Sequence, residues 1–189
     1  MKIEEKLEFL KNNASDINEH LQTIFENALG CDHATEMGVR GAVSTWALLA
    51  ARPKKLVSYD INKCPETVVV QKAAKEEGLD YSFVQGDVLK MEIETTDILF
   101  IDTLHTYSQL SRELAKHAGN VRRKIILHDT ETYGETDEPI YFPSSPQTSS
   151  SKQGLKTAIA EFLASELGSS WRVESVFQNN NGLTVLGKK

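Results

Sequence analysis

Acidic and histidine side chains close the apolar segments of this sequence one after another. Carboxylates accept hydrogen bonds from hydroxyl and ammonium groups and bind divalent ions, and histidine titrates near neutral pH, which suits a general base. Taken singly, each such residue could equally cap a helix or make a turn. Together they indicate one site for a polar ligand, because all lie at or just beyond predicted strand ends: Glu36, Asp60, Asp87, Asp102, His128 and Asp129.

The segments that carry these residues alternate between strand and helix patterns. This order predicts a doubly wound α/β fold with a mostly parallel seven-stranded sheet, in which the C-terminal hairpin supplies one antiparallel strand. Ligands of such sheets bind outside the carboxyl ends of the strands, where the acids fall. The predicted strands are a first one ending near Glu36 and then 55–61, 81–85, 96–102, 124–127, 171–178 and 183–186, and the predicted helices are 65–78, 106–119 and 155–168.

The segment Thr35–Trp46 has the pattern of a strand, a glycine turn and the start of a helix. Such a turn lets the backbone and a helix N-terminus approach a ligand closely. Gly38 and Gly41 are spaced G-x-x-G, so the dinucleotide fingerprint G-x-G-x-x-G is not met. The segment therefore predicts a nucleotide-type pocket of another kind.

The net charge of −6 argues against binding nucleic acid through bulk charge. No apolar run approaches the roughly 20 residues of a membrane span, and the charged segment Met1–Lys6 is unlike a secretory signal. We expect a cytoplasmic protein without a membrane partner. Cys31 and Cys64 lack metal-binding spacing and are predicted to be buried thiols. Three histidines are predicted at the surface, because none follows a strand end: His20, His33 and His117.

Two segments outside the strands have a predicted role. Residues 1–30 are predicted to form a helical arm that breaks near Asn12 and Asn13 and stops at Gly30, ahead of one domain over 31–189. An amphipathic arm of this kind suits packing on the sheet or on a second copy in a homodimer. The loop 130–153 lacks periodicity and holds three of the five prolines, so we expect a lid over the ligand site or a disordered segment.

Several motifs together resemble the class I methyltransferases that use S-adenosylmethionine. The finer pattern is similar to small bacterial O-methyltransferases related to the cephalosporin-hydroxylase-like and macrolide sugar methyltransferases. The resemblance runs from about Glu36 to Gly187 and implies a Rossmann-like methyltransferase fold that methylates a small-molecule or sugar hydroxyl. The motifs are Glu36-Met37-Gly38 with Gly41 and Ser44, then Asp60, Gly86-Asp87, Phe100–Tyr107, Ile125–Thr130 and Gly154–Ala158.

The resemblance, with the chemistry of the cofactor, assigns roles to individual residues. Asp60 would accept hydrogen bonds from the ribose diol, and Glu36 or Asp102 would bind the ammonium group of the amino acid tail. Asp87 would receive the adenine amino group and Val88 would offer its backbone N–H to the ring. The remaining predicted cofactor-binding residues lie beside these: Gly38, Gly41, Ser44, Ile61 and Gly86.

Removal of the acceptor's proton needs a base or a metal ion, and two alternatives stay open beside a purely structural role for His105, in capping or in bonding across the strand ends. His105, His128 and Asp129 are the candidates for catalysis, with a histidine as the general base. Alternatively, Asp102 and Asp129 bind a divalent ion such as Mg²⁺, which lowers the pKa of the hydroxyl. His128 stands where metal-dependent members of the branch often have another acid, and imidazole is a poor magnesium ligand.

Two functions of other classes compete with methyl transfer. A dinucleotide-dependent oxidoreductase of the NAD type would share the first strand and Asp60. It would not explain Gly86-Asp87 or the terminal hairpin. The other competitor is a non-catalytic binding or assembly module with the same fold, in which the N-terminal helices make the contact.

Overall fold

The computed structural model describes residues 2–139 and 150–189, which form a sheet with helices on both faces. Most of its element bounds lie within a few residues of the predicted ones. In chain order the elements are α1 (Ile3–Lys11), α2 (Leu21–Ala28), β1 (His33–Met37), α3 (Val43–Ala50), β2 (Lys55–Asp60), α4 (Glu66–Glu76), β3 (Asp80–Gln85), β4 (Thr96–Ile101), α5 (Tyr107–His117), β5 (Val121–His128), α6 (Leu155–Ala164), β6 (Trp171–Phe177) and β7 (Leu183–Lys188).

The seven strands lie in the order β3-β2-β1-β4-β5-β7-β6. Neighbouring strands are parallel from β3 through to β5, and β7 runs antiparallel to both β5 and β6. The predicted doubly wound sheet with one antiparallel strand is confirmed. The chain moves outward from β1 to β3 and then returns to place β4 beside β1. This reversal opens a crevice at the carboxyl ends of β1 and β4, where such sheets bind ligands.

Two apolar layers hold the helices to the sheet. In one layer, the four helices α1, α2, α3 and α4 pack on one face of the sheet, where Ile98 and Phe100 of β4 point. The other joins α5 and α6 to the opposite face, where Leu99 and Ile101 point. Successive residues of β4 thus serve opposite layers, and all six residues of this strand are buried, as expected of a central parallel strand.

The N-terminal helices pack on the same core as the sheet. Ile3, Leu21 and Ile24 are fully buried in the first layer, beside α3. The predicted helices and the break after Lys11 are confirmed. Within residues 2–139 and 150–189, no helix combines the length and the apolar character needed to cross a bilayer.

Two sequence-based details differ from the structure. The last helix ends at Ala164, not at Gly168, because the hydroxyl of Ser165 bonds back to the Phe162 carbonyl and the chain turns there. Thr106 caps α5 as predicted, but the Gln109 side chain bonds Glu113 and does not reach back to the cap. Of the predicted lid, residues 130–139 and 150–153 are described, and its members Tyr141, Phe142, Pro143, Pro146 and Ser149 lie outside the described residues.

Candidate active site

The turn after β1 brings bare backbone against the end of β4. Gly38 has φ +84°, and a Cβ atom there would lie 1.9 Å from the carbonyl oxygen of Asp102, so a side chain would force the two strands apart. Asp60, at the end of β2, stabilises the same turn, because its Oδ2 accepts the backbone N–H groups of Val39 (2.7 Å) and Arg40 (3.1 Å). Residues 38–40 and Asp60 therefore form one rigid corner of the crevice.

A cavity of about 350 Å³ lies at this corner, outside the ends of β1, β2, β3 and β4. Seven of the ten predicted cofactor-binding residues line it: Gly38, Asp60, Ile61, Gly86, Asp87, Val88 and Asp102. Four further residues line it that the sequence reasoning did not assign: Tyr59, Thr103, Leu104 and Gln109.

Glu36 and Ser44 do not line this cavity, and Gly41 is likewise absent from its wall. Glu36 is fully buried and accepts hydrogen bonds from the hydroxyls of Ser44 (2.6 Å), Thr45 (2.8 Å) and Ser58 (2.5 Å). Burial raises the pKa of Glu36 to about 7 against the effect of these three donors. The structure thus joins Glu36 and Ser44 to each other away from the wall of this cavity. Their predicted contact with the cofactor stays a prediction.

On the far side of Asp102, four charged side chains from the ends of β4 and β5 meet. His105 Nε2 lies 3.1 Å from Asp102 Oδ1 and 3.0 Å from Asp129 Oδ2. His128 Nδ1 lies 3.3 Å and 3.2 Å from the same two oxygens. Each predicted histidine therefore contacts both predicted aspartates, and Asp102 belongs both to this cluster and to the cavity.

The protonation of this cluster follows from its partners. The other ring nitrogen of His105 contacts Glu138 Oε2 at 2.9 Å, and that of His128 contacts the Asn180 carbonyl at 3.3 Å. A neutral imidazole has one donor and one acceptor nitrogen, whereas here every ring nitrogen faces an oxygen that only accepts. Each ring therefore needs a second proton, or a cation between it and the two aspartates.

The pKa values of the cluster agree with a second proton on each imidazole ring. Burial would lower the pKa of His105 and of His128, but hydrogen bonds to Asp102 and Asp129 prevail and raise each pKa to about 10. Burial would likewise raise the pKa of Asp102 and of Asp129, and the two histidines hold the Asp102 pKa below, and the Asp129 pKa well below, the usual range. Without a metal ion, both imidazoles are protonated at neutral pH.

Three members of the cluster have the arrangement of a metal site. Asp102, His128 and Asp129 each offer a ligand atom, and these atoms lie within 4.8 Å of one another. The second oxygen of Asp129, Oδ1, is buried and makes no hydrogen bond to any residue that the structure describes. Asp129 also holds φ +59°, an uncommon backbone conformation for a residue other than glycine. These residues fit a divalent cation.

Comparison with known proteins supports the fold of this site but not a family. No family model matches the sequence, and no curated protein does. Among solved structures, an O-methyltransferase from Bacillus cereus, crystallised in complex with SAH, superposes with a TM-score of 0.62 at 14% identity, covering 99% of this chain and 90% of that one. The cofactor-bound protein Rv0187 from MTB gives 0.64 at 11% identity, covering 98% and 87%. The chain has a methyltransferase fold.

The methyltransferase fold does not select the acceptor. A ribosomal protein L11 methylase from Lactobacillus delbrueckii subsp. bulgaricus superposes with a TM-score of 0.59 at 11% identity, covering 94% of this chain and 80% of that one. Its acceptor is of a different kind from that of a small-molecule O-methyltransferase. The fold that the sequence resemblance implied is confirmed.

An outer layer of contacts supports the two histidines. The Tyr133 ring stacks on His105 with ring centroids 5.0 Å apart and an interplanar angle of 3°. Glu138 Oε2 contacts the Nδ1 atom at the edge of the same ring. His128 packs edge-on against His20, with ring centroids 5.8 Å apart. Tyr133 and Glu138 belong to the predicted lid, so the described part of this loop supports the site. Glu138 was missed because the loop has no periodicity that could single it out.

The three histidines predicted at the surface are buried, so that prediction was wrong. Each ring contacts a backbone carbonyl of a distant segment at 2.9 Å: His20 that of Asn179, His33 that of Thr95 and His117 that of Val88. The hydrogen bond to each ring offsets part of the cost of burying it. His20 and His117 thereby support the site, since Asn179 adjoins the Asn180 carbonyl that contacts His128, and Val88 lines the cavity.

Proposed function

We propose that this protein is an S-adenosylmethionine-dependent O-methyltransferase that acts on the hydroxyl group of a small molecule or sugar. One observation carries the proposal: the cavity beside the Gly38 turn and the Asp102, His128, Asp129 cluster share Asp102. A cofactor in the cavity would thus present its methyl group next to residues that can activate a hydroxyl. Holding two reactants in line accounts for much of the rate of a methyl displacement.

The residues of the cavity fit the parts of S-adenosylmethionine. Asp60 keeps about one acceptor position for a ribose hydroxyl, on Oδ1, since each carboxylate oxygen has about two positions and Oδ2 already accepts two backbone N–H groups while Oδ1 accepts one. Gly38 and Asp102 both line the cavity, and the amino acid tail would lie along them. Asp87 and Val88 line the part of the wall where the resemblance places the adenine.

For deprotonation, the cluster favours a metal ion over a histidine base. A general base must be unprotonated when it acts, and both histidines have a pKa raised to about 10. Asp102, His128 and Asp129 would hold a divalent cation, with His128 as a neutral ligand whose Nε2–H donates to the Asn180 carbonyl. Such an ion supplies a lowered pKa for a hydroxyl bound to it. The imidazole in the ligand set favours Fe²⁺ or Zn²⁺ over Mg²⁺, and the two carboxylates also suit Mn²⁺.

No feature of the described site supports either competing function. The oxidoreductase needs the G-x-G-x-x-G spacing, and the turn here is G-x-x-G. A purely structural module gives no account of buried carboxylates and histidines kept in ionic contact at the mouth of a cavity, because burying charge costs stability. A small-molecule acceptor, the absence of a nucleic-acid partner, a homodimer through the arm and a cytoplasmic location stay predictions.

The test is calorimetric titration of the purified chain with S-adenosylmethionine, S-adenosylhomocysteine and NAD. We expect both sulfur ligands to bind with one site per chain and NAD not to bind. Saturable binding of NAD together with no binding of either sulfur ligand at millimolar concentration would overturn the proposal in favour of the oxidoreductase. No binding of any of the three would favour the non-catalytic module.

A further inference from the structure

Glu113 is a fully buried acid behind the wall of the cavity. It lies on α5, and its Oε1 accepts two hydrogen bonds, from the Thr103 hydroxyl and from the Gln109 side-chain nitrogen, each 2.7 Å long. Its second oxygen, Oε2, is buried and makes no hydrogen bond to any part of the chain that the structure describes. Neither the proposed cofactor contacts nor the metal cluster uses this residue.

The contacts of Glu113 orient two groups of the cavity wall. Thr103 and Gln109 both line the cavity, and both direct a donor away from it, toward Glu113. The amide of Gln109 has its nitrogen at one end and its oxygen at the other, so a bond from the nitrogen to Glu113 leaves the oxygen for the cavity. The Thr103 oxygen likewise keeps its lone pairs. This section of wall therefore accepts hydrogen bonds.

The same section lies close to the residues that the resemblance assigns to the base. Asp87, Gln109 and Thr103 line the same cavity. Burial, with a contribution from the charge of Asp87, raises the pKa of Glu113 to about 7. Asp87 is itself partly committed, because its Oδ1 accepts the Leu89 N–H at 3.0 Å and its Oδ2 pairs with Lys90 at 3.1 Å. The amide oxygen of Gln109 is thus an acceptor available for the exocyclic group of a bound base.

A buried acid with one unsatisfied oxygen costs stability, and an apolar side chain of similar volume would pack there at lower cost. Resting on the proposed function, we propose that Glu113 is a positioning residue for base specificity. It holds Gln109 and Thr103 as acceptors, so that the cavity takes adenine, whose 6-amino group donates, and rejects hypoxanthine, whose 6-oxo group only accepts.

The experiment compares the dissociation constants of S-adenosylhomocysteine and S-inosylhomocysteine, which differ at this edge of the base, by calorimetry. Glu113→Met removes the acceptor at similar volume, and Gln109→Met removes the amide and leaves Glu113 in place. Glu113→Gln keeps an oxygen that can accept both bonds and serves as the conservative rescue. Ser111→Ala is the matched control, because this α5 residue lies outside the cavity wall. Thermal melting checks the fold of each variant.

We expect the wild type, Ser111→Ala and Glu113→Gln to prefer the adenine ligand by at least about tenfold, the usual scale of one mismatched buried hydrogen bond. In Glu113→Met and Gln109→Met the preference should fall to within about threefold. A merely structural role predicts that Glu113→Met weakens both ligands alike and keeps the preference, which would overturn the proposal. Should Glu113→Met fail to fold, an unchanged preference in Gln109→Met would overturn it in the same way.

Failure of the inference is distinguishable from failure of the proposed function. A wild-type chain that binds both ligands equally well overturns base specificity and leaves the cofactor site intact. A wild-type chain that binds neither ligand overturns the proposed function and this inference with it.

Discussion

The carboxyl ends of the parallel strands form one edge of the sheet, called the rim here, and its two halves are built by different means. Along β1, β2 and β3 the chain leaves an open cavity, whose shape depends on the main-chain turn at Gly38 and the backbone bonds of Asp60. Across Asp102, the ends of β4 and β5 are filled by ion pairs of 3.0–3.3 Å among His105, His128 and the aspartates. The first half, lined by Asp60, Asp87 and Asp102, suits a ligand that carries hydroxyl, amino or positively charged groups. The second half needs protons or a cation to balance its charge.

This difference predicts that the two halves respond to different changes. In the open half, ligand affinity should fall when a larger side chain is placed in the Gly38 turn and should not depend on metal. In the charged half, metal affinity and the pH dependence of stability should change with the aspartates and histidines, whether or not the cofactor is bound. Asp102 is the one shared residue, and the variants below separate the halves on either side of it.

The largest effect is expected at Gly38. Alanine there would place its Cβ 1.9 Å from the Asp102 carbonyl at φ +84°, so we expect Gly38→Ala to lose at least about 100-fold in S-adenosylhomocysteine affinity or to unfold. Gly41→Ala is the matched control, because the nearest atom to its Cβ would be 4.0 Å away. Calorimetry and melting of both variants check the comparison, and equal behaviour of the two would refute a backbone-defined turn.

The next effect is expected at Asp60. Removal of this carboxylate loses its contact with the ribose and its bonds to Val39 and Arg40, so Asp60→Ala should bind S-adenosylhomocysteine about 10- to 100-fold more weakly. Asp60→Asn keeps one oxygen acceptor and should lose less. Unchanged affinity in a folded Asp60→Ala protein would remove Asp60 from the site.

In the charged half, Asp129→Asn should weaken Mn²⁺ binding by at least about tenfold while leaving S-adenosylhomocysteine affinity nearly unchanged. The control is Glu131→Gln, two residues away, whose exposed carboxylate pairs with Lys156. Titration with Mn²⁺, followed by electron paramagnetic resonance of the free ion, measures the affinity. A wild-type chain without a Mn²⁺ site of submillimolar affinity would contradict the metal assignment.

A smaller effect should appear in the pH dependence of stability. The folded protein keeps protons on His105 and His128 up to a pKa of about 10, whereas the unfolded chain releases them near the ordinary histidine pKa of 6.5. Their stabilisation is therefore complete below about pH 6.5 and is lost as the pH rises through about 10. We expect the melting temperature of the metal-free protein to fall over this range.

The double variant His105→Gln with His128→Gln should show a much flatter profile above pH 6.5. An equally steep fall in this variant would mean that other groups cause the loss of stability. Saturating Mn²⁺ should also flatten the wild-type profile, because the ion replaces protons at the same aspartates.

The sequence predicted the rim well because strand ends of a parallel sheet meet at one edge. Asp60, Asp87, Asp102 and the pair His128 and Asp129 needed only their place after a strand to be assigned to a common site. Glu36 obeys the same rule in sequence yet faces Ser44, Thr45 and Ser58 behind the cavity. Glu36 is the next-to-last residue of β1, and successive strand residues point to opposite faces, so a place near a strand end does not say which face the side chain takes.

Residues brought in from far along the chain could not be predicted. His20 lies 159 positions from the carbonyl of Asn179 that it contacts, and no local pattern marks a histidine whose partner is a distant backbone oxygen. Glu113 was missed for a related reason. It occupies a polar position of an amphipathic helix pattern, and its burial follows from how α5 packs against the end of β4.

The most direct test of the account is a crystal structure of the chain grown with S-adenosylhomocysteine and Mn²⁺, with anomalous data collected for manganese. The account predicts the ligand's sulfur atom in the cavity beside Asp102 and a manganese peak bound by Asp102, His128 and Asp129. It would be contradicted by a ligand bound away from the Gly38 turn, or by a cluster in which the two histidines keep their contacts to the aspartates and no manganese binds there.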